Sequence, residues 1–134
     1  MKGLEYYEQL PDYMSVDQLD AEFREFLSNA ERIQPDLAYV ESLLALSERQ
    51  WHTYELLVND LRNRISLFLV DVWKDDDVEE ADAILSITGM LGLPAVLDFL
   101  SSKATDSFSP DVRKSVKEAF DEFGSTISDP YKRC

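Results

Sequence analysis

Apolar side chains recur along this chain at alternating spacings of three and four, the period of a helix that buries one face. Val16, Leu19, Phe23, Phe26 and Ala30 form the first such stripe. Ser15 stands just before it and Gln18 three residues on, the pairing of a capping box, so the first helix is expected to start there. Pro35 predicts a restart in the first turn of a second helix. Leu37, Val40 and Leu44 repeat along that segment, and Leu43 broadens the face. The longest stripe is Trp51, Tyr54, Val58, Leu61, Ile65, Phe68 and Val72, which predicts a central helix of about six turns. Leu57 and Leu69 widen it enough to touch neighbours on two sides.

Lys74-Asp75-Asp76-Asp77 interrupts the pattern. Asp77 is a suitable N-cap, with Glu80 three residues on, and predicts a fourth helix carrying Ala81, Ile84, Leu85 and Thr88 inward. Gly89 and Gly92 mark its expected end, and Pro94 opens a short helix with Val96, Leu97 and Leu100 buried. A polar connector runs from Ser101 to Ser109. Ser109-Pro110-Asp111 starts the last helix, with Val112, Val116, Ala119, Phe120 and Phe123 inward and Gly124 as its stop. No segment alternates with a period of two for long enough to support a sheet. The expectation is therefore all-α: about six helices in one domain over residues 1–134, with irregular ends at about 1–14 and 125–134. An antiparallel helical stack and a compact helical bundle both fit this pattern.

Composition agrees with a folded chain. Of 134 residues 45% are apolar, including seven Phe, six Tyr and two Trp, too many for an acidic disordered segment. A chain this long buries roughly two thirds of its unfolded surface. Its one cysteine, Cys134, provides no internal disulfide and no Cys-based zinc site. The start, Met1-Lys2-Gly3-Leu4-Glu5, is not an apolar leader, and the longest apolar run, Leu67 to Val70, is far short of a membrane span. A cytoplasmic location is expected.

Charge changes the picture most. Lys and Arg number 13 against 27 Asp and Glu, a formal net charge of -14. Residues 1–48 hold 3 basic and 11 acidic side chains, and residues 75–109 hold 1 and 8. The intervening residues 49–74 hold 4 and 3, and residues 110–134 hold 5 and 5. Two acidic blocks thus flank a neutral middle. Such a surface opposes nucleic acid and anionic lipid and favours a basic protein partner.

The residues that could carry chemistry are few. His52 is the single histidine, which leaves a His-based zinc site or a di-iron pair without its ligands. Glu48, Glu55 and Asp60 are its only acidic neighbours in sequence. Asp75, Asp76, Asp77, Glu79, Glu80 and Asp82 give six carboxylates in eight residues. A calcium loop would need a glycine at its sixth position, where Glu80 stands. The run reads either as an acid-rich helix start or as a docking patch for Lys and Arg. Tyr6, Tyr7 and Tyr13 lie among Glu5, Glu8 and Asp12, and tyrosines in such surroundings are frequent binding anchors. They could equally pack the N-terminal segment onto the core. Trp73, beside the acidic run, is a further candidate anchor, whereas Trp51 is expected in the core. Gly89, Gly92 and Pro94 are turn residues, with no Gly-Lys-Ser/Thr to make a phosphate loop. Arg113, Lys114 and Lys117 are expected to pair within their own helix. No catalytic constellation emerges, and no cofactor or metal site is expected.

Aligning Gly89 with Gly124 places Ala81 opposite Val116, Ile84 opposite Ala119, Leu85 opposite Phe120 and Thr88 opposite Phe123. In this register residues 75–124 resemble a HEAT-type helical repeat, with Val78 one place out and Glu79 where the repeat usually carries Arg. That resemblance implies a stack of helical pairs. By size, charge and architecture the chain is also similar to bacterial toxin-immunity proteins. That likeness implies a non-enzymatic inhibitor of one basic secreted toxin domain, such as a nuclease. The alternative is a HEAT-like scaffold or adaptor in a larger assembly. On the first reading Asp75, Asp76, Asp77, Glu79, Glu80 and Asp82 would steer the partner, and Tyr6, Tyr7, Tyr13 and Trp73 would anchor it.

Overall fold

The computed structural model describes residues 3–32, 34–124 and 127. Seven α-helices follow one another among them: α1 (Leu4–Glu8), α2 (Val16–Ala30), α3 (Leu37–Trp51), α4 (Asn59–Val72), α5 (Val78–Leu91), α6 (Pro94–Ser101) and α7 (Pro110–Phe123). A short 3-10 turn at Thr105–Ser107 lies in the connector before α7, and the described residues contain no strand. The all-α class expected from the spacing is the class found.

Local chemistry sets most of the helix starts. Ser15 Oγ accepts from the Gln18 amide while Gln18 Oε1 accepts from the Ser15 amide, both at 3.1 Å. This capping box occupies two donors that a helix N-terminus would otherwise leave unpaired. Asp36 accepts from the Tyr39 amide, Asp77 from Glu80 and Ser109 from Val112, each at the third helical position. Pro94 and Pro110 occupy first-turn sites where a missing N–H costs nothing. Gly92 ends α5 at φ 68, a conformation that only glycine adopts without strain.

The helices form two layers. α3 packs against α5 and α5 against α7, and α1 lies on the far side of α3. Behind them α2 packs on α4 and α4 on α6. Leu37, Glu41 and Leu44 near the start of α3 face Glu79, Asp82 and Ser86 near the start of α5. Gly89 near the end of α5 lies under the Phe123 ring at the end of α7. α3, α5 and α7 therefore run side by side in the same direction, with α2, α4 and α6 as return helices.

The core fills the space between the layers. Leu19, Phe23 and Phe26 of α2, Leu43 and Leu46 of α3, Leu61, Ile65 and Leu69 of α4, and Ile84 and Ile87 of α5 are fully buried. An aromatic cluster ties the first four helices together. Phe26 stacks on Tyr39 at 4.3 Å and meets Phe68 and Tyr7 edge-on at 5.6 and 6.1 Å. Each such pair adds about 0.5–1.5 kcal/mol beyond the area it buries. The Tyr39 hydroxyl donates to the Phe26 carbonyl at 2.6 Å. Burial pushes this phenol well above its ordinary value, and the neighbouring Tyr7 adds to the effect.

Four expectations are corrected. The long stripe from Trp51 to Val72 is not one helix. α3 ends at Trp51 and α4 begins at Asn59. Between them Thr53 Oγ1 bonds the Gln50 carbonyl at 2.7 Å and accepts from the Glu55 amide at 3.1 Å. The buried Gln50 amide group donates to the Glu55 carbonyl at 2.8 Å, and Tyr54 takes φ 57. These side-chain bonds replace the helical ladder, and the three-four spacing merely continues across the break.

The N-terminal segment, expected to be irregular up to residue 14, contains α1. Arg49 holds it: its guanidinium donates to the carbonyls of Glu8 and Leu10 at 3.1 Å and of Ala45 at 3.0 Å. Pro35 lies ahead of the cap at Asp36, not in the first turn. Gly89 is inside α5, and Gly92 is its end.

The last point bears on the spacing between α5 and α7. Asp77 to Ser109 and Gly92 to Gly124 are both steps of 32 residues, so starts and ends agree on 32 and not on the 35 set by Gly89. In that register the buried Val112, Val116, Ala119 and Phe123 fall on the buried Glu80, Ile84, Ile87 and Leu91. Asp36 to Asp77 is a step of 41, which places Val40 on Ala81, Leu43 on Ile84 and Leu46 on Ile87. Ser47 then matches Thr88, and each hydroxyl bonds the carbonyl four residues back. The expected irregular tail at 125–134 and Cys134 lie outside the described residues, apart from the buried Ile127.

Candidate interaction face

The acidic run is divided between the fold and the surface. Asp75 accepts from the Trp73 indole N–H at 2.8 Å and pairs with Lys103 at 3.4 Å, while its carbonyl accepts from the Ser109 amide. It therefore fastens the α4–α5 connector to the start of α7. Asp77 is the cap of α5. Glu80 is only 2% exposed and meets Lys74 at 3.4 Å. Asp76, Glu79 and Asp82 are left exposed. Among the expected anchors, Tyr7 is 1% exposed and belongs to the core. Tyr6 is half-buried, its hydroxyl bonded to Glu22 at 2.5 Å. Trp73 is partly covered, edge-on to Phe108. Tyr13 alone of the four stands out, 80% exposed, with its ring 5.2 Å from that of His52.

A larger acidic surface appears where α1, α3, α5 and α7 face solvent together. Glu79 and Asp82 meet Glu41 across a groove of about 360 Å³ floored by Leu37, Leu44 and Ala83. Beside it a groove of about 540 Å³ runs between α5 and α7. Its apolar lining includes Trp51, Leu85, Met90 and Phe123, and its acids are Asp82, Glu118 and Glu122. A third, of about 260 Å³, lies between α1 and α3 with Glu8, Glu41 and Glu48. Glu41 and Asp82 are each shared by two grooves, so the three depressions form one continuous face. Glu48 approaches the buried Arg49 at 3.9 Å, and Glu118 meets Lys114 at 4.0 Å. Among the described residues no Lys or Arg pairs with Glu8, Glu41, Glu79, Asp82 or Glu122.

Seven carboxylates over an apolar floor produce a field that attracts cations, and the grooves offer contact for their alkyl stems. Sequence reasoning found Glu79 and Asp82 but missed Glu8, Glu41, Glu48, Glu118 and Glu122. Their common face exists only because helices distant in sequence run parallel. A local signal was present: each inner helix carries outward acids three, four or seven apart.

Two of the three acids near the histidine are engaged elsewhere. His52 Nδ1 lies 2.8 Å from the Asp12 carbonyl, Asp60 pairs with Arg24, and Glu48 leans on Arg49. Arg24 is itself raised above its ordinary value, first by its hydrogen bond to Asp20 and then by the charge of that group. Among the described residues no three His, Cys, Asp or Glu side chains are arranged to hold a metal ion. No helix among them is long and apolar enough to cross a membrane.

Fold and surface together define an all-helical protein with a carboxylate-rich, apolar-floored face. The chain matches no protein-family model, no curated protein and no solved structure.

Proposed function

We propose that this protein is a non-enzymatic, immunity-type inhibitor that binds a basic protein partner through the face of α1, α3, α5 and α7. One observation carries the reading: carboxylates from separate helices share one grooved surface, and most of them lack an internal cation. Keeping them together raises electrostatic self-repulsion, which a cationic partner relieves. Opposite charge speeds encounter, and the apolar floor supplies buried contact. A basic secreted toxin domain, such as a nuclease whose substrate-binding surface is cationic, fits this chemistry. A bacterial cytoplasmic setting belongs to the same proposal, as does the absence of nucleic-acid or membrane partners.

The test is neutralisation. A candidate basic toxin domain is expressed in cells with the wild-type chain or with Glu41→Gln, Glu79→Gln, Asp82→Asn and Glu122→Gln combined. Wild type is expected to restore growth. The purified variant is expected to associate about 10–100-fold more slowly at low salt, with a weaker salt dependence. An unchanged association rate would refute the assignment of this face.

A second reading has its own support. The shared caps and matched burial of α3, α5 and α7 favour a HEAT-like stack, the architecture of scaffolds and adaptors. As a scaffold, the chain would bind its partner with affinity indifferent to the four neutralisations.

A further inference from the structure

Among the described residues, four of the five large apolar side chains most exposed on the surface gather at one end of the molecule. Tyr54, Leu56 and Val58 lie in the α3–α4 loop, and Tyr13 lies against His52 at its start. Tyr54 is 70% exposed and is the one non-glycine residue at positive φ among those described. A bulky residue in that conformation is strained, and such strain persists only where surrounding contacts fix the backbone. Here they do. Gln50 and Thr53 bond the Glu55 backbone, Tyr54 N–H donates to the Trp51 carbonyl, and Leu57 is buried beneath. The loop is thus held rigidly, with an aromatic ring outward where glycine would fit without strain. Trp51, three residues before Tyr54, lines the groove between α5 and α7 together with Asp82, Glu118 and Glu122.

We propose that this loop is the anchor of the interface, with Tyr54 as its central residue. Its occupant is a partner segment carrying Lys or Arg flanked by apolar side chains. The proposal rests on the basic-partner reading above. Charge complementarity selects the occupant: the cation faces the carboxylates beside Trp51, while the Tyr54 ring, Leu56 and Val58 cover its alkyl stem and apolar neighbours. Arg over a tyrosine ring adds a cation–π contact. A pre-fixed aromatic loses little freedom on binding, so it slows dissociation more than it speeds association.

The experiment uses p-benzoylphenylalanine as a photoreactive probe, in place of Tyr54 or, in a second protein, of the exposed Leu67 of α4, on the opposite layer. Each full-length chain is irradiated in its native cells. The expected result is a protein adduct from position 54 and none from 67. The adducted peptide should contain Lys or Arg, and the adduct should vanish when Glu41, Glu79, Asp82 and Glu122 are neutralised. With the adducted protein purified, Tyr54→Gly should speed dissociation at least tenfold while leaving the association rate within about twofold of wild type. An adduct at 54 that survives neutralisation keeps the loop as anchor but overturns the basic-partner reading. Equal adducts from both positions, no adduct, an adduct to a second copy of this chain, or unchanged dissociation of Tyr54→Gly overturns the loop assignment.

Discussion

The α4–α5 connector and the open face of α3, α5 and α7 are both dense in carboxylates, yet they spend them differently. In the connector Asp75 holds Trp73 and Lys103, Asp77 caps a helix and Glu80 meets Lys74. On the face Glu41, Glu79, Asp82 and Glu122 lie over grooves with no cation of their own among the described residues. Glu79 and Glu80 are adjacent in sequence and fall on opposite sides of this division. Density of acid is therefore a poor guide to availability. What decides is which side of the helix a carboxylate leaves from and whether a donor waits there.

The contrast can be broken or sharpened by experiment. The largest effect is expected from alkali. Tyr39, in the core rather than on the face, carries it, because its folded-state value is raised above its ordinary 10.0. Its contribution to stability is complete below pH 10 and is lost as pH rises through the folded value. The loss has a ceiling of about 1.4 kcal/mol per pH unit. Urea unfolding between pH 8 and pH 11 should show this fall, and Tyr39→Phe should remove the part due to this residue.

Asp75→Ala comes next. It leaves the Trp73 N–H and Lys103 without their acceptor and should cost about 1–3 kcal/mol by urea unfolding. Its association rate with a basic partner should stay close to wild type. A slowed association would place the connector within the interface and erase the distinction. Asp77→Ala removes a cap and should cost about 1 kcal/mol. The smallest effect belongs to Asp82→Asn, expected within about 0.5 kcal/mol of wild type because nothing in the fold depends on that charge. A loss well beyond this would show that the face, too, is structural.

Much of the fold was legible because much of it is local. Ser15 with Gln18, Asp77 with Glu80 and Ser109 before Pro110 announce helix starts through bonds between residues three apart. The break after Trp51 was hidden because Tyr54 and Val58 keep helical spacing while Gln50 and Thr53 redirect the backbone through side-chain bonds. α1 was hidden because its support, Arg49, lies some forty positions away in sequence. The end of α5 was misplaced: Gly89 looked like a stop, and only the left-handed turn at Gly92 ends the helix. The face was half legible. Glu79 and Asp82 stood out in an acidic run, but Glu41 and Glu122 join them only through the packing of three parallel helices.

That parallel packing has an electrical consequence of its own. Peptide dipoles in a helix sum to roughly half a negative elementary charge at its C-terminal end. In an alternating bundle, neighbouring ends cancel. Within the layer of α3, α5 and α7 the dipoles are aligned, and the three negative ends gather near Trp51, Met90 and Phe123. The positive starts of the return helices α4 and α6, at Asn59 and Pro94, lie in the layer behind at that same end and offset part of this field. The backbone thus adds to the carboxylates at the Trp51 end of the groove between α5 and α7 and works against them near the starts of α3 and α5, so the grooved layer is electrically uneven along its length.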